Sequence, residues 1–446
     1  MSYPNLSAPT TCQIEITTQC SHNCLHCYNF WRNKNQSEEA SRTLTIDESR
    51  IIVQKLVDAK VFDVTFTGGE PLMAFDVLKS CIRQARDGGI NVHLNSNLLP
   101  LTADRARELR ELGLKGVVTS LMGPNAETYD MIAQHMNAFN RVVQNIKIAQ
   151  DAGLNVIANM VVTKANLYRV KDTARFAHSL GIRKFSATKA SCPGNCSDFS
   201  AYALTVVEFR NYLQDLSEVG VELDINVDAL EGYPLCGVKD LEAHNFARNR
   251  RCTAGINSVA IGSNGSIRPC AHFDVSYGNL LTEDLSTAWG RMGDWRAGDF
   301  LPTVCKSCQL LGVCGGGCRM EAKVCCGDPS APDPYCVPED ADFALKSLQN
   351  YLERRQEQLP VVEKEGWFSV LPYRSRKEPF GMTIRVDGRA YTFLNHEGVK
   401  VFRQMQIGTV YQIGDSRIQW GTMNPLKFVN GLVARGTAQV LTDVHN

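Results

Sequence analysis

The chain has 446 residues, 44% of them hydrophobic, which is typical of a globular protein with two or three domains. Basic and acidic residues number 47 each, so the formal net charge is zero and neither a nucleic-acid-binding surface nor an acidic-membrane-binding surface is indicated. Since neither a membrane span nor an N-terminal signal sequence is evident, we expect a cytoplasmic protein.

The cysteines are concentrated in one part of the chain. Nine of the 17 lie between residues 252 and 336, and none follows. Disulfides are disfavoured in the cytoplasm, and a disulfide framework would not end so sharply. The distribution therefore favours metal or cluster binding over a disulfide scaffold.

Strands and helices are predicted to alternate through the first half of the chain. Apolar, β-branched runs predict strands at residues 12–18, 61–67, 90–95, 116–120, 156–163 and 184–188. Helical spacing predicts helices at residues 45–60, 76–87, 102–112, 125–150 and 170–180, the fourth of these in two pieces. Residues 1–11 read as a loose lead-in and residues 31–42 as a surface loop. Such alternation predicts an α/β fold with a parallel sheet, whose ligands bind at the carboxyl ends of the strands.

The first strand leads into the sequence TTQCSHNCLHCY, in which Cys20, Cys24 and Cys27 stand as CxxxCxxC. Three soft thiolates at this spacing suit one corner of an iron–sulfur cubane and leave the fourth iron without a protein ligand. The alternative is a zinc loop with His22 or His26 as the fourth ligand.

The second strand ends in the sequence VFDVTFTGGEPL. Gly68 and Gly69 break the strand and allow the backbone to approach a ligand closely, and Glu70 and Pro71 follow. Together with the three-cysteine loop and Tyr28, which directly follows Cys27, this segment resembles the motifs of the radical S-adenosylmethionine (radical SAM) superfamily.

That resemblance implies a partial (β/α)6 barrel with a [4Fe–4S] cluster on the three cysteines. It also implies that the GGEP segment receives the amino group of S-adenosylmethionine, whose methionine end chelates the open iron. Asn97, Ser120 and Asn159 are candidate contacts to the cofactor's ribose or carboxylate. The family's acidic residue two positions after the strand-four serine is absent, because Met122 stands there.

A second cysteine field begins with the pattern C-x12-G-x4-C, whose central segment reads as a β-hairpin that turns at Asn264 and Gly265. CxxCxxxxxCxxxC and one further cysteine follow. This order resembles the SPASM extension of radical SAM enzymes, and two zinc knuckles are the alternative. The resemblance assigns one auxiliary [4Fe–4S] cluster to Cys252, Cys270 and Cys318. It assigns a second auxiliary cluster to Cys305, Cys308, Cys314 and Cys336.

Several cysteines stay unassigned. The eighth SPASM cysteine is missing, so the first auxiliary cluster has an open iron, borrows Cys236 or Cys325, or uses a ligand other than cysteine. Cys325 and Cys326 are adjacent and are interpreted as nonligands. Cys192 and Cys196 are either a metal half-site or surface thiols.

The tail contains no cysteine. A charged helix is predicted at residues 345–358, and a hairpin that turns at Asp387 and Gly388 follows a linker. Further helices are predicted at residues 395–404, capped by Asn395, and 425–435, with a final strand at 437–441. This pattern weakly resembles the winged-helix-like domain that binds leader peptides in ribosomal peptide maturases, and a tail that only packs on the barrel is the alternative. We therefore predict a radical SAM barrel (1–230), a SPASM domain with a bridging region (231–345) and a small α+β domain (366–446).

The resemblance implies an enzyme in which a 5′-deoxyadenosyl radical abstracts hydrogen from a precursor peptide and an oxidative modification results, with an intrapeptide crosslink favoured. A flavodoxin or ferredoxin is the expected electron donor. Alternatives are a sulfatase-maturating enzyme, a maturase of a nonpeptide cofactor and a noncatalytic cluster scaffold. Sulfatase-maturating relatives carry an aspartate base directly after the hairpin's second cysteine, where this chain has Ala271, although Asp274 or His272 could substitute as a catalytic base.

Overall fold

The computed structural model describes residues 4–29, 42–191 and 199–441. The predicted loop at residues 31–42, apart from Arg42, and the unassigned Cys192 and Cys196 lie outside these residues. The chain forms two compact units, one from Ala8 to Tyr351 and one that joins Leu352 onward to the segment ending at Ser7. In the described parts of the chain, no helix is both long enough and apolar enough to cross a membrane.

A parallel sheet with helical crossovers forms most of the first unit. Its strands are β1 (Thr11–Thr17), β2 (Asp63–Gly68), β3 (Asn91–Ser96), β4 (Gly116–Ser120), β5 (Asn155–Val162), β6 (Lys184–Lys189) and β7 (Asn226–Asp228). The helices between them are α1 (Ile46–Asp58), α2 (Phe75–Asp87), α3 (Ala103–Glu111), α4 (Ala126–Ala133), α5 (Ala138–Asp151), α6 (Val170–Ser179) and α7 (Val206–Leu223). These strands lie in sequence order across the sheet and pair in parallel, which confirms the radical SAM-type α/β barrel.

The two faces of this sheet differ in chemistry. Helices α2, α5 and α6 contact its strands, and the side chains on the covered face are apolar and buried. On β3, β4 and β5 these buried residues alternate with partly exposed ones, among them Asn95, Ser120 and Asn159. A parallel sheet with both faces in a dry core would be apolar throughout. The second face, which we call the inner face, is therefore suited to a polar ligand.

The predicted elements of this unit agree with the structure to within about two residues at most ends, and the helix predicted at 125–150 is indeed in two pieces. Two predictions fail. The lead-in is not loose, because Thr10 is fully buried and its backbone N–H donates to Asn257 O at 2.8 Å. Helix α7 was missed although Thr205 and Glu208 form a capping box at its start.

The cysteine-rich half adds a hairpin to the barrel sheet. Strands β8 (Ser258–Ile261) and β9 (Ile267–Arg268) form the predicted antiparallel hairpin, and β8 pairs in parallel with β1. One short helix, α8 (Leu235–Val238), precedes the hairpin. The short helices after it are α9 (Leu285–Arg291), α10 (Gly293–Ala297), α11 (Thr303–Lys306), α12 (Leu311–Cys314) and α13 (Arg319–Cys326), and the long helix α14 (Ala341–Gln358) comes last. The hairpin therefore places Cys270 beside the start of the barrel.

The second unit is a small α+β structure with its own core. Its strands are β10 (Trp367–Val370), β11 (Arg374–Glu378), β12 (Gly381–Arg385), β13 (Thr392–Asn395), β14 (Val410–Gln412) and β15 (Ala438–Leu441), and its helices are α15 (His396–Phe402) and α16 (Pro425–Ala434). They form two three-stranded sheets, ordered β14-β10-β15 and β11-β12-β13. The predicted β12–β13 hairpin, the Asn395 cap and the last strand are confirmed.

Candidate functional site

The three-cysteine loop is fixed at several points by backbone hydrogen bonds. Gly69 and Glu70 donate their N–H groups to Thr17 O at 2.6 Å and Gln19 O at 2.7 Å. Further along the loop, Asn23 and Leu25 donate to backbone carbonyls at the end of α4, both at 3.0 Å. Cys20, Cys24 and Cys27 are in the thiol form, each partly exposed. A rigid loop therefore presents three thiols at the carboxyl ends of β1 and β2.

The GGEP segment requires glycine because it runs against the cysteine loop. A Cβ on Gly68 would lie 2.4 Å from Thr17 O, and one on Gly69 would lie 2.1 Å from Gln19 O. The fully buried carboxylate of Glu70 accepts hydrogen bonds from Leu72 N at 2.9 Å and Asn97 N at 2.7 Å, and it also accepts one from the Ser96 hydroxyl. Burial raises the pKa of Glu70 to about 7. Its side chain thus joins the ends of β2 and β3, and Pro71 begins the single helical turn that follows.

Asn97 contacts the cysteine loop directly. Its amide nitrogen lies 3.7 Å from Cys20 Sγ and 3.0 Å from Ser21 Oγ. It therefore acts on the loop itself, in addition to its candidate role as a cofactor contact.

Buried polar atoms without partners are available for a ligand on this side of the sheet. Asn29 donates its amide to Gly68 O at 3.1 Å, and its buried Oδ1 has no hydrogen-bond partner in the described part of the chain. The buried Ser186 Oγ likewise has none there. Such orphaned groups are costly unless something satisfies them, so the residues present fit a polar cofactor such as S-adenosylmethionine.

Ser120, the last residue of β4, lies in register beside Asn159 in the middle of β5. Asn159 is also in register with Ser186, and its Oδ1 accepts a hydrogen bond from Thr188 Oγ1 at 2.9 Å. The structure thus joins Ser120 and Asn159 into one polar row on the inner face.

Tyr28 connects the front loop with the hairpin of the second cysteine field. Its ring stacks on His272 with a centroid distance of 4.0 Å and an interplanar angle of 30°. Since Tyr28 follows Cys27 and His272 lies two residues after Cys270, the stack brings two cysteine groups close together. Asp274 has a different environment: its side chain is 47% exposed and pairs with Lys323.

A buried charged cluster, formed by Lys189, Glu231 and Glu321, lies next to His272. The fully buried Lys189 ammonium is 2.9 Å from Glu321 Oε1 and 3.8 Å from Glu231 Oε2, while His272 Nε2 lies 3.7 Å from Glu231 Oε1. Ser191 donates its hydroxyl to Glu231 at 2.6 Å. Burial opposes the charge on Lys189, but the two carboxylates outweigh it and hold the pKa of the ammonium well above its usual value.

The first auxiliary group, Cys252, Cys270 and Cys318, is partly buried near this cluster. Burial raises the pKa of Cys270 to about 12, and the nearby Cys252 adds to the shift. Burial and Cys252 likewise raise the pKa of Cys318. Cys318 donates its backbone N–H to Asp333 Oδ2 at 2.7 Å. The charge of Cys252 thus acts on both other thiols of the group.

The second auxiliary group surrounds a small cavity. The cavity is lined by Cys305, Cys308, Cys314 and Cys336, with Pro234, Leu310, Leu311 and Gly316 as further wall residues. Cys236 also lines it, so this cysteine belongs with the second group and not with the first. Cys325 and Cys326 are exposed at the end of α13.

Both cysteine groups and the front loop offer thiol side chains, the donor type that iron–sulfur clusters use. Among the residues that the structure describes, no three His, Cys, Asp or Glu side chains form a group that would hold a single metal ion. In the zinc-loop alternative, His22 or His26 would be a ligand. His22 packs against Tyr129 and His135, and burial lowers the pKa of His26 to about 4.

Comparison with known families agrees with this geometry. Residues 14–177 match the radical SAM superfamily, and residues 252–309 match the SPASM iron–sulfur cluster-binding domain. The chain is a radical SAM/SPASM enzyme. Its cofactors are therefore S-adenosylmethionine and iron–sulfur clusters.

Relatives of this radical SAM/SPASM enzyme differ in their substrates. An AdoMet-dependent heme synthase of Oleidesulfovibrio alaskensis is 25% identical over 72% of this chain and 86% of that protein. A PqqA peptide cyclase of Bradyrhizobium diazoefficiens is also 25% identical, over 82% of this chain and 93% of that protein. SuiB of Streptococcus suis, solved with its precursor peptide SuiA, shares the fold with a TM-score of 0.60 at 18% identity, and the match covers 74% of this chain and 76% of SuiB.

Several residues of this radical SAM/SPASM site were not predicted from the sequence. The cluster of Lys189, Glu231 and Glu321 was missed, and so was the buried ion pair between Glu15 and Arg268 that joins β1 to β9. Lys189 is the last residue of β6, so its place at the carboxyl end of a parallel strand was the available signal.

Proposed function

We propose that this radical SAM/SPASM enzyme removes a hydrogen atom from a ribosomally made peptide and oxidises it, most simply by forming an intrapeptide crosslink. The observation that carries the proposal is the stack of Tyr28 on His272, which links the front cysteine loop to the first auxiliary group. An oxidation that starts with hydrogen abstraction has a second electron to dispose of. A cluster site this close to the reacting substrate offers an exit for that electron.

The ligand sets are part of the same proposal. Cys20, Cys24 and Cys27 hold the first of three [4Fe–4S] clusters. Cys252, Cys270 and Cys318 hold the first auxiliary cluster, and Cys305, Cys308, Cys314 and Cys336 hold the second. When bound, the front cluster and S-adenosylmethionine supply the one-electron chemistry that generates the hydrogen-abstracting radical.

The chain's own residues position and shield the reactants. The backbone at Gly68 and Gly69 and the buried Asn29 Oδ1 receive polar groups of the cofactor, while Ser120 and Asn159 contact its ribose or carboxylate. Glu70 and Asn97 hold the loop, and Tyr28 and His272 close one wall. His272 and Asp274 remain the proposed candidates for a base that takes a proton from the substrate.

A peptide substrate is favoured over a porphyrin-type one by the second unit. The heme synthase and the peptide cyclase relatives are equally identical to this chain, so identity does not decide. The second unit offers the edge strands β11, β13, β14 and β15, and an extended peptide can bind to a sheet edge by adding a strand. Ala271 argues against the sulfatase-maturating alternative, because a methyl group cannot act as a base.

The decisive experiment uses anaerobically reconstituted protein. Reduced enzyme is supplied with S-adenosylmethionine and a short precursor peptide, ideally one encoded beside the gene, and 5′-deoxyadenosine, peptide mass and iron are measured. We expect about twelve irons per chain, 5′-deoxyadenosine, and a peptide lighter by two hydrogen atoms. The Cys24→Ala variant should abolish both products. Zinc in place of iron, with no 5′-deoxyadenosine, would refute the proposal.

The remaining parts of the proposal rest on the sequence. We propose a flavodoxin or ferredoxin as the electron donor and the cytoplasm as the site of action. Coupling of purified donor to 5′-deoxyadenosine formation tests the first, and fractionation tests the second.

A further inference from the structure

The charged cluster of Lys189, Glu231 and Glu321 contains more negative than positive charge. Lys189 supplies a single positive charge, whereas Glu321 and Glu231 supply two carboxylates. Asp333, a further buried carboxyl group that acts on Lys189, adds no positive charge. We propose that Glu231 binds a positively charged group of the peptide substrate, an ammonium or a guanidinium, next to His272. This inference rests on the proposed function, because it takes the substrate to be a peptide.

Glu231 lies where side chains from both ends of the barrel sheet meet. It comes three residues after β7, which is one edge of the nine-stranded sheet, on the side where parallel strands end and ligands bind. His272 follows β9 at the opposite edge of the sheet, yet its Nε2 is 3.7 Å from Glu231 Oε1. Since His272 stacks on Tyr28, which directly follows Cys27, the Glu231 carboxylate lies near the front cysteine loop.

Glu231 is the member of the charged cluster that an incoming molecule can reach. Its side chain is 19% exposed, compared with 0% for Lys189 and 4% for Glu321. The side chain of His272 is also 19% exposed. A ligand can therefore contact Glu231 and His272, whereas the other two charged groups are closed to it.

The Glu231 carboxylate is held in place through one of its two oxygens. Oε2 accepts a hydrogen bond from the Ser191 hydroxyl at 2.6 Å. The Lys189 ammonium lies 3.8 Å from the same oxygen and is closer to Glu321, at 2.9 Å. Within the described part of the chain, Oε1 accepts no hydrogen bond, because its contact with His272 Nε2 is too long. A fixed carboxylate with one oxygen still able to accept suits a cation that brings N–H donors.

The nearby arginines do not compensate the charge of Glu231. Among the described residues, Arg268 acts on the same histidine and Arg250 acts on a neighbouring tyrosine, but each is paired with another carboxylate. Arg268 pairs with Glu15, and Arg250 pairs with Asp228. A mostly buried carboxylate without a cation of its own attracts a positive ligand more strongly than a carboxylate on the surface does.

Model peptides test the inference on the reconstituted holoenzyme, in the absence of S-adenosylmethionine. The probes are acetylated and amidated glycine pentapeptides with lysine, arginine, norleucine or glutamate at the centre, and the norleucine peptide with a free amino terminus. Broadening of the peptide NMR signals gives their dissociation constants. We expect the lysine, arginine or free-amine peptide to bind about tenfold more tightly than the acetylated norleucine peptide. The peptide that does so identifies the source of the cation, and the glutamate peptide should bind most weakly.

A neutral variant shows whether the preference belongs to Glu231. Glu231→Gln removes the charge but keeps the shape of the side chain and an oxygen that accepts from Ser191, and it should abolish the preference for positive charge. Glu283→Gln is the matched control, because that carboxylate is 23% exposed and pairs with Arg291 outside the charged cluster. The control should keep the preference of the wild type.

Three results would overturn the inference. The first is a wild type without a preference for positive charge, which needs no variant to fold, and the second is a preference that survives in Glu231→Gln. The third concerns S-adenosylmethionine, which is itself positively charged. If it displaces the cationic peptide and Glu231→Gln weakens its binding by a similar factor, Glu231 belongs to the cofactor site. Because binding is measured apart from catalysis, failure of the proposed function is seen separately, as the absence of 5′-deoxyadenosine and of an altered peptide.

Discussion

Lys189 carries its charge in a fully buried position, where the carboxylates of Glu321 and Glu231 take the place of water. Replacing it by Met leaves the buried carboxylate of Glu321 and the partly exposed one of Glu231 without their cation. Loss of the partner of a buried charge costs about 3–5 kcal/mol of unfolding free energy. The double variant Lys189→Met, Glu321→Leu should recover most of this loss, since only Glu231 then remains and Ser191 still donates to it. Denaturant titration of the cluster-free chain measures both. A single variant as stable as the wild type would contradict the argument.

The same pair predicts a pH dependence. Burial raises the pKa of Glu321, but Lys189, through its charge and its hydrogen bond, outweighs burial and leaves the pKa below its ordinary 4.5. A carboxyl with a lowered pKa in the folded state stabilises the fold above about pH 4.5, and this contribution is lost as the pH falls further. The unfolding free energy of the wild type should therefore decline below pH 4.5 more steeply than that of Glu321→Gln. Parallel curves for the two proteins would show that the carboxylate is not held ionised.

The sequence offers the front-loop cysteines as candidate cluster ligands, because thiolate spacing along a loop is a local property. The fit of Lys189 to Glu321 was not predictable in this way, since 132 residues separate the two. The contact between Cys236 and Cys336 could not be predicted either, because 100 residues separate them in the sequence and no spacing rule connects them. Residue chemistry suggested candidates, but only the fold shows which of them meet.

At the scale of elements, the GGEP turn sets the position of the cysteine loop. Gly69→Ala would place a methyl group against Gln19 O, a backbone atom that cannot move without shifting the loop. A displacement of about 1 Å in a catalytic loop can reduce the rate by roughly 100-fold, and we expect 5′-deoxyadenosine formation to fall by that order. Gly290→Ala in α9 is the matched control, because a Cβ there meets nothing within 4 Å, and its activity should be unchanged. Full activity of Gly69→Ala would show that the loop is not held in this way.

Local periodicity was sufficient for the parallel strands and their helices, since each buries one apolar face. It could not show that β8 pairs with β1, because that pairing joins residues almost 250 positions apart. The three-residue strand β7 is too short to carry a period, and helix α7 was missed despite its capping box. The position of Cys270 beside the barrel depends on the pairing that periodicity does not show.

At the scale of the whole molecule, residues 4–7 belong to the same unit as the described chain from Leu352 onward. Ser7 donates its backbone N–H to the buried Glu378 carboxylate at 2.8 Å. The neighbouring Leu6 is buried, with only 3% of its surface exposed. Glu378 also accepts from Arg376 at 2.7 Å and Thr383 at 2.9 Å. The N-terminal segment is therefore tied to the sheet β11-β12-β13 through the side chain of Glu378.

Leu6→Ala should loosen that sheet, which is built from residues more than 360 positions away. Truncation of a buried leucine costs about 2–5 kcal/mol, and the loss should fall on the second unit, to which Leu6 belongs. Hydrogen exchange should accelerate at Met382, Thr383 and Ile384, while iron content stays that of the wild type. Ser7→Ala is the control, because the bond to Glu378 uses the backbone N–H and survives the substitution. If hydrogen exchange in Leu6→Ala were the same as in the wild type, the sheet would be stable without the packing of the N-terminal segment.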